Sequence, residues 1–367
     1  MNITTIDTQL LELPLEQPVL ASISSRTGGS ACTTIFMSVV FVETDTGHTG
    51  IGYAWLLGGG GRAMLTVIRD DLAPSLIGED PLDHERLWQK LYWKTQSVGR
   101  HGLVIQAQSA LDLALWDLKG KVCGLPLYKL LGGMRDSAPI YGSDGGWMNM
   151  SVDEILAASR EYLEQGMRGI KLKVGHDDPA IDLGRVREVR NALGEEIWIA
   201  VDANQKWDFP TALRMGREFE QLGCAWYEEP MICEDPVGHA RLADRLDVPI
   251  ALGETLGSRF EIDVYLRAEA VDIVQPDVTR VGGITEFLKI AALCGAAHRP
   301  VEPHLMMEVS VHLACGLPGV VGLEYMPWLT AAFAESSVLE EGCMRAPQAP
   351  GLGLEISKTA LERYRIA

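Results

Sequence analysis

Three carboxylates in this 367-residue sequence fall on one period: Asp202, Glu228 and Glu254 are separated by 26 residues each, and each closes a short apolar run. One strand-plus-helix unit has about that length, so equivalent positions on three neighbouring strands would bring the side chains to one point. Three carboxylates there would repel one another unless a cation sat between them. An all-oxygen set with room for water and substrate suits Mg²⁺. Glu229, next to Glu228, is expected on the opposite face of its strand. Lys171 and Lys173 lie two apart on another run and so share a face, where mutual repulsion is expected to lower their pKa values and leave one able to act as a base near neutral pH. His304 and Asp277 end two adjacent runs, and the aspartate could fix the imidazole tautomer. A divalent cation, a lysine on one side and a His/Asp pair on the other suit removal of a proton next to a carboxylate, with Glu324 held protonated as a hydrogen-bond donor to the resulting oxyanion.

The elements that would position these groups are legible as runs. PIYGS (139–143), GIKLKV (169–174), IWIAVDAN (197–204), CAWYEEP (224–230), PIALGET (249–255), VDIVQPD (271–277), RPVEPHL (299–305) and VVGLEY (320–325) alternate with amphipathic stretches. One of those stretches begins at Ser151 with a capping-box signature and runs toward Gln165. Eight strands alternating with helices predict a β/α barrel, whose chemistry sits at the C-terminal strand ends. An open doubly wound sheet is the competing α/β arrangement, and no G-x-G-x-x-G follows a strand to favour it. Ahead of the barrel, Ile3 to Pro14 and Thr34 to Glu43 alternate as antiparallel strands, and Val104 to Lys119 reads as a buried helix. Between them four glycines, 58–61, predict a mobile loop, either a linker or a lid over a site.

Composition narrows the partners. A net charge of −18 disfavours nucleic acid and anionic membrane surfaces. Seven cysteines without a C-x-x-C pair fit neither a disulfide framework nor a zinc site and point to a reducing compartment. The opening MNITTIDTQLLELPLEQ carries acidic residues where a secretory leader needs positive charge, and no segment approaches 18 uncharged apolar residues, so a cytoplasmic enzyme is expected.

The ordered set K-L-K, V-D-A-N-x-x-W, E-E-P, G-E, Q-P-D, P-H and L-E resembles the enolase superfamily, and within it the mandelate racemase subgroup. The resemblance implies a modified (β/α)7β TIM barrel with an α+β capping domain: capping residues 1–130, barrel 131–328, and a C-terminal segment 329–367 completing the cap. It implies Mg²⁺ on Asp202, Glu228 and Glu254, Lys173 as base on one face, and His304 with Asp277 on the other. It also places Lys171 near the substrate carboxylate and Glu324 at the developing oxyanion, with Ser143 and Asn204 as further substrate contacts. The cap would close through Leu15 to Arg26 and Trp55 to Arg62. Ser97-Val-Gly-Arg100, Asp144-Gly-Gly-Trp147 and Pro303 to Val309 look most like the acid-sugar dehydratases of this subgroup that act on galactarate or talarate, which form 2-keto-3-deoxy acids. A homo-oligomer is expected by the same resemblance. The alternatives are a racemase or epimerase using the same two groups and, more distantly, a noncatalytic carboxylate-binding barrel.

Overall fold

The computed structural model describes residues 1–22 and 29–367. Strands β1 (Ile3–Val19), β2 (Cys32–Thr44) and β3 (Thr49–Leu57) form an antiparallel sheet, with Leu10 opposite Ser38 and Met37 opposite Trp55. Strand alternation gives this sheet two buried faces. Val40, Val42 and Ala54 pack against cap helices, whereas Val39, Tyr53 and Trp55 join the core shared with the barrel. Helix α1 (His84–Lys94) and the longer α2 (Leu103–Cys123) complete this unit. Gly52 lets β3 touch α2: a Cβ there would lie 2.0 Å from the Ala110 carbonyl oxygen. The glycine run is shorter as a loop than its sequence suggests, because Gly61 already opens a helical turn. Gly58, Gly59 and Gly60 all hold positive φ, a path that side-chain-bearing residues rarely follow. Of the expected closing segment Leu15 to Arg26, residues 23–26 lie outside the described residues.

The second unit is a closed parallel barrel, so the doubly wound alternative is excluded. Strands β4 (Ser137–Gly142), β5 (Gly169–Lys173), β6 (Trp198–Asp202), β7 (Tyr227–Glu228), β8 (Ile250–Leu252) and β9 (Ile273–Val274) pair in order. Strand β10 (Leu323–Tyr325) pairs with β4, setting Leu323 opposite Ile140. The seventh predicted strand is reduced to Val301, which bridges Val274 on one side and Val320 on the other. Pro300 and Pro303 flank it and lack the N–H groups that a longer ladder would need. Helices α3 (Val152–Glu164), α4 (Pro179–Leu193), α5 (Phe209–Gln221), α6 (Pro236–Ala243), α7 (Arg259–Arg267), α8 (Ile284–Ala296) and α9 (Met307–Gly316) alternate with the strands. The capping box at α3 forms as its sequence predicts, with Ser151 and Glu154 each accepting from the other's backbone N–H. After β10 the chain adds β11 (Leu339–Glu340) and β12 (Cys343–Arg345), the latter antiparallel to β4. Helix α10 (Lys358–Tyr364) follows, and the last residues bond the edge of β1, Ile366 N–H donating to the Leu10 carbonyl at 2.8 Å.

Cap and barrel are joined through α2. Asp112 accepts from the Thr285 backbone N–H at 2.9 Å and from its hydroxyl at 2.6 Å, which caps the start of α8 from a different unit. Trp116 donates to the same hydroxyl at 2.9 Å, and the Ser109 hydroxyl accepts from Gly282 N–H at 2.9 Å. Burial raises the Asp112 carboxyl from 3.8 to about 7, against the opposing pull of the Thr285 bonds. Between those two values the folded protein holds a proton that the unfolded chain has released, so this group makes stability fall as pH rises through the window. Asp112→Asn carries no titrating proton and should flatten that slope. Urea unfolding midpoints of both proteins near pH 4 and near pH 7 measure it, and equal slopes would contradict the assignment.

Candidate active site

The parallel register brings the polar strand ends into one layer: Lys173 lies opposite Asp202, and Asp202 opposite Glu228. Glu254 follows β8 by two residues and completes the set. The three carboxylates each offer an oxygen within 4.8 Å of the others. Burial, followed by the nearby Asp202 charge, pushes the Glu228 carboxyl up to about 7. Beside Asp202 the buried Asn204 Oδ1 has no hydrogen-bond partner among the described residues. Hard oxygen donors, crowded and buried, fit a divalent cation of the Mg²⁺ type.

Two cations from the chain lie against these carboxylates. Lys171 Nζ reaches both Glu228 oxygens at 2.9 and 3.0 Å and Glu324 Oε1 at 2.7 Å, while Lys173 Nζ bonds Asp202. Burial alone would lower both lysine pKa values, but Glu228, Glu324 and Asp202 around Lys171, and Asp202 with Glu254 around Lys173, outweigh it and raise both. The sequence expectation of mutually depressed lysines is therefore corrected. The carboxylates outnumber the ammonium groups.

Glu324 also departs from expectation. Despite its burial, Lys171 and His304 hold its carboxyl down to about 2, and it accepts from Ser143 Oγ at 2.6 Å and from Leu305 N–H at 3.0 Å. It is ionised here rather than a protonated donor. Ser143 is buried with its hydroxyl committed to Glu324, whereas Asn204 and Lys173 line the cavity.

His304 faces Lys173 across this layer. Its Nδ1 lies 3.0 Å from Asp277 Oδ2 and its Nε2 lies 3.0 Å from Glu254 Oε2. Burial opposes protonation, yet these two carboxylates raise the imidazole to about 10, so it carries both protons. Asp277 is itself fixed by the Thr279 N–H and hydroxyl, both at 2.7 Å.

Three contacts lie beyond what the sequence predicts. Trp55 reaches in from the cap and donates its indole N–H to Asp277 Oδ2 at 2.9 Å, and the Arg280 guanidinium lies 4.5 Å from the centre of the Trp55 ring. Arg280 sits three residues past Asp277, 3.6 Å from Glu254 Oε1. Glu229 was expected to point away from the site, yet it lines the cavity. Strand β7 ends at Glu228 and Glu229 turns to φ 37, so alternation no longer governs it. Burial and the Glu254 charge raise its carboxyl to about 8, and Thr255 donates to it at 2.6 Å. The cavity above these groups has a volume of about 260 Å³, roofed by Trp55 and Leu57 of the cap and by Trp147 and Trp328 of the barrel. Trp55 belongs to one of the segments expected to close the site.

Residues 10–132 match the mandelate racemase / muconate lactonizing enzyme N-terminal domain, and residues 154–360 match the enolase C-terminal domain-like family. The chain is 41% identical over 359 residues to L-talarate/galactarate dehydratase of Salmonella typhimurium, covering 98% of this chain and 90% of that protein. It is 35% identical to 3,6-anhydro-alpha-L-galactonate cycloisomerase of Streptomyces coelicolor, covering 89% and 91%. The crystal structure of L-talarate dehydratase from Polaromonas sp. JS666, complexed with Mg and L-glucarate, superposes with a TM-score of 0.94 at 42% identity over 100% of this chain and 98% of that one. With both halves matched and the strand-end carboxylates, lysines and His/Asp pair gathered in one barrel mouth, the chain belongs to the enolase superfamily, in its mandelate racemase/muconate lactonizing enzyme group.

Proposed function

We propose that this protein is a Mg²⁺-dependent acid-sugar dehydratase, with a talarate- or galactarate-like diacid as the favoured substrate. The observation that carries the reading is the opposition of Lys173 and His304 across a buried carboxylate trio, in a chain whose relatives include dehydratases of several sugar acids. Asp202, Glu228 and Glu254 would hold the Mg²⁺, which when bound supplies Lewis acidity toward the substrate carboxylate. Lys173 takes the proton from the carbon next to that carboxylate once its amine is free. His304 gives its Nε2 proton to the departing β-hydroxyl, which leaves as water. Asp277 holds the Nδ1 proton in place, so the transferable proton sits on the nitrogen facing the cavity. The resulting enol tautomerises to a 2-keto-3-deoxy acid. Lys171 and Glu324 sit below Lys173 and set the charge at the carboxylate end, and Asn204 meets the substrate at the cavity wall.

The same two groups could return a proton to the other face, and the cycloisomerase relative keeps that second reading open. Release of a keto acid, trapped with semicarbazide, separates dehydration from epimerisation. A small-molecule substrate, no nucleic acid or membrane partner, and a homo-oligomer in the cytoplasm complete the proposal. The charge of −18 speaks against nucleic-acid and anionic membrane partners, and among the described residues no helix is long and apolar enough to cross a membrane.

Exhaustive chelation should abolish turnover and added Mg²⁺ should restore it. Mg²⁺ should also raise the thermal midpoint of the wild type and much less that of Glu228→Gln, because a ligand that binds only the folded state stabilises it. Full activity after prolonged dialysis against EDTA would overturn the metal assignment. Lys173→Ala should lose about 10²–10⁴-fold in kcat, the usual worth of a positioned base, while keeping the Mg²⁺-induced thermal shift. Wild-type turnover by Lys173→Ala would show that another group removes the proton.

A further inference from the structure

Three tryptophans form a chain of ring contacts along the cavity wall from one proton-transferring group to the other. Lys173 Nζ lies 5.4 Å from the centre of the Trp147 ring. Trp147 stacks on Trp328 at 5.6 Å and 21°, and Trp328 meets Trp55 edge-on at 6.1 Å. The Trp55 ring then faces the His304 imidazole at 5.9 Å. The wall is therefore continuous from the base to the acid.

Each indole N–H in that wall ends on a carboxylate. Trp55 is held by Asp277, as described above. Trp147 and Trp328 both donate to a single oxygen, Asp144 Oδ1, at 2.9 Å each. The two tryptophans come from opposite ends of the barrel sequence, Trp147 after the first strand and Trp328 after the eighth, so this shared acceptor fixes their register. The Asp144 carbonyl oxygen accepts from Gln17 of the cap at 3.1 Å. Asp144 itself borders a separate outer groove of about 800 Å³, with Trp328 as the partition between groove and catalytic cavity. Arg185 strengthens the same end: it donates to the Trp147 carbonyl at 2.7 Å and to the Lys173 carbonyl at 3.0 Å.

Resting on the proton-abstraction reading above, the geometry points to Asp144 as a positioning residue that holds the Trp147–Trp328 stack and, through it, the placement of Lys173 relative to His304. Asp144 lies behind the wall rather than in the cavity, and its effect travels through the indoles. A shift of about 1 Å at a reacting group can cost about 10²-fold in rate, so loosening this anchor should act on the chemical step more than on binding. The one oxygen acceptor matters more than the charge, because an amide oxygen can also accept two N–H groups.

The test compares Asp144→Asn with Asp144→Ala in the Mg²⁺-loaded full chain, with Asp144→Leu carrying the alanine expectation if that variant does not fold. Two readouts are taken: the exciton-coupled circular dichroism of the stacked indoles without substrate, and loss of the substrate α-proton. Dehydration and epimerisation share α-proton loss, so choosing wrongly between them leaves the test intact, and the dichroism needs no substrate at all. Asp144→Ala should lose the couplet and fall about 10- to 100-fold in kcat, with KM changed by no more than about threefold. Asp144→Asn should keep the couplet and most of the turnover. A lost couplet with wild-type kcat would mean that the wall does not position the base. A retained couplet with reduced kcat would mean that Asp144 acts directly, and an effect on KM alone would assign it to binding. Each of these three results overturns the proposal.

Discussion

The crowding of negative charge in the barrel mouth is the constraint that the rest of this structure answers. Strand register sets Asp202 beside Glu228; Glu254 and Glu324 join them, and in a low-dielectric interior their repulsion is far stronger than it would be in water. Removing one partner from such a buried cluster leaves an uncompensated charge, which is strongly destabilising. Every cation of the site is placed against it: Lys171 between Glu228 and Glu324, Lys173 on Asp202, His304 between Asp277 and Glu254, and Arg280 beside Glu254. The groups suited to acid and base chemistry are thus the same groups that make the carboxylate cluster tolerable.

Position within the barrel decides which of these groups can meet a substrate. Lys173, His304 and Glu254 line the cavity, while Lys171 and Glu324 form an ion pair beneath it. Above them the cap supplies apolar surface and the Trp55 indole N–H that bonds Asp277. Trp55 and Leu57 close β3, and the glycines that follow turn the chain away through positive φ angles into a helix on the outer side. The cap is held at this height by α2, whose Asp112 and Trp116 grip the first turn of α8. The Trp55 indole thus fixes the roof from one unit onto Asp277 of the other.

Much of this arrangement is legible in the sequence because barrel periodicity converts spacing into position. The 26-residue interval places three carboxylates together, and K-x-K places two lysines on one face without reference to any partner. What the sequence hides has specific physical causes. Trp55 and Asp277 are 222 residues apart, and no local pattern links a cap strand to a barrel loop. Glu229 escapes the alternation rule because β7 stops one residue earlier. The protonation states of Lys171, Lys173 and Glu324 differ from the sequence expectation because each depends on the sum of several buried neighbours rather than on the nearest one along the chain. The seventh strand is reduced to a single residue, Val301, because prolines on both sides withhold donors. Asp144-Gly-Gly-Trp147 stood out in the sequence, but its meaning needed Trp328 from the far end of the barrel.

In the proposed reaction base and acid are separate groups on opposite sides of one site. Incubating folded, Mg²⁺-loaded His304→Asn with an acid-sugar substrate in D₂O tests it most directly, with α-proton exchange and keto-acid formation followed together. Exchange through Lys173 with little keto acid is expected, because the proton can leave and return while the hydroxyl lacks its donor. Neither exchange nor product would mean that His304 itself removes the proton, and unimpaired keto-acid formation would contradict both roles.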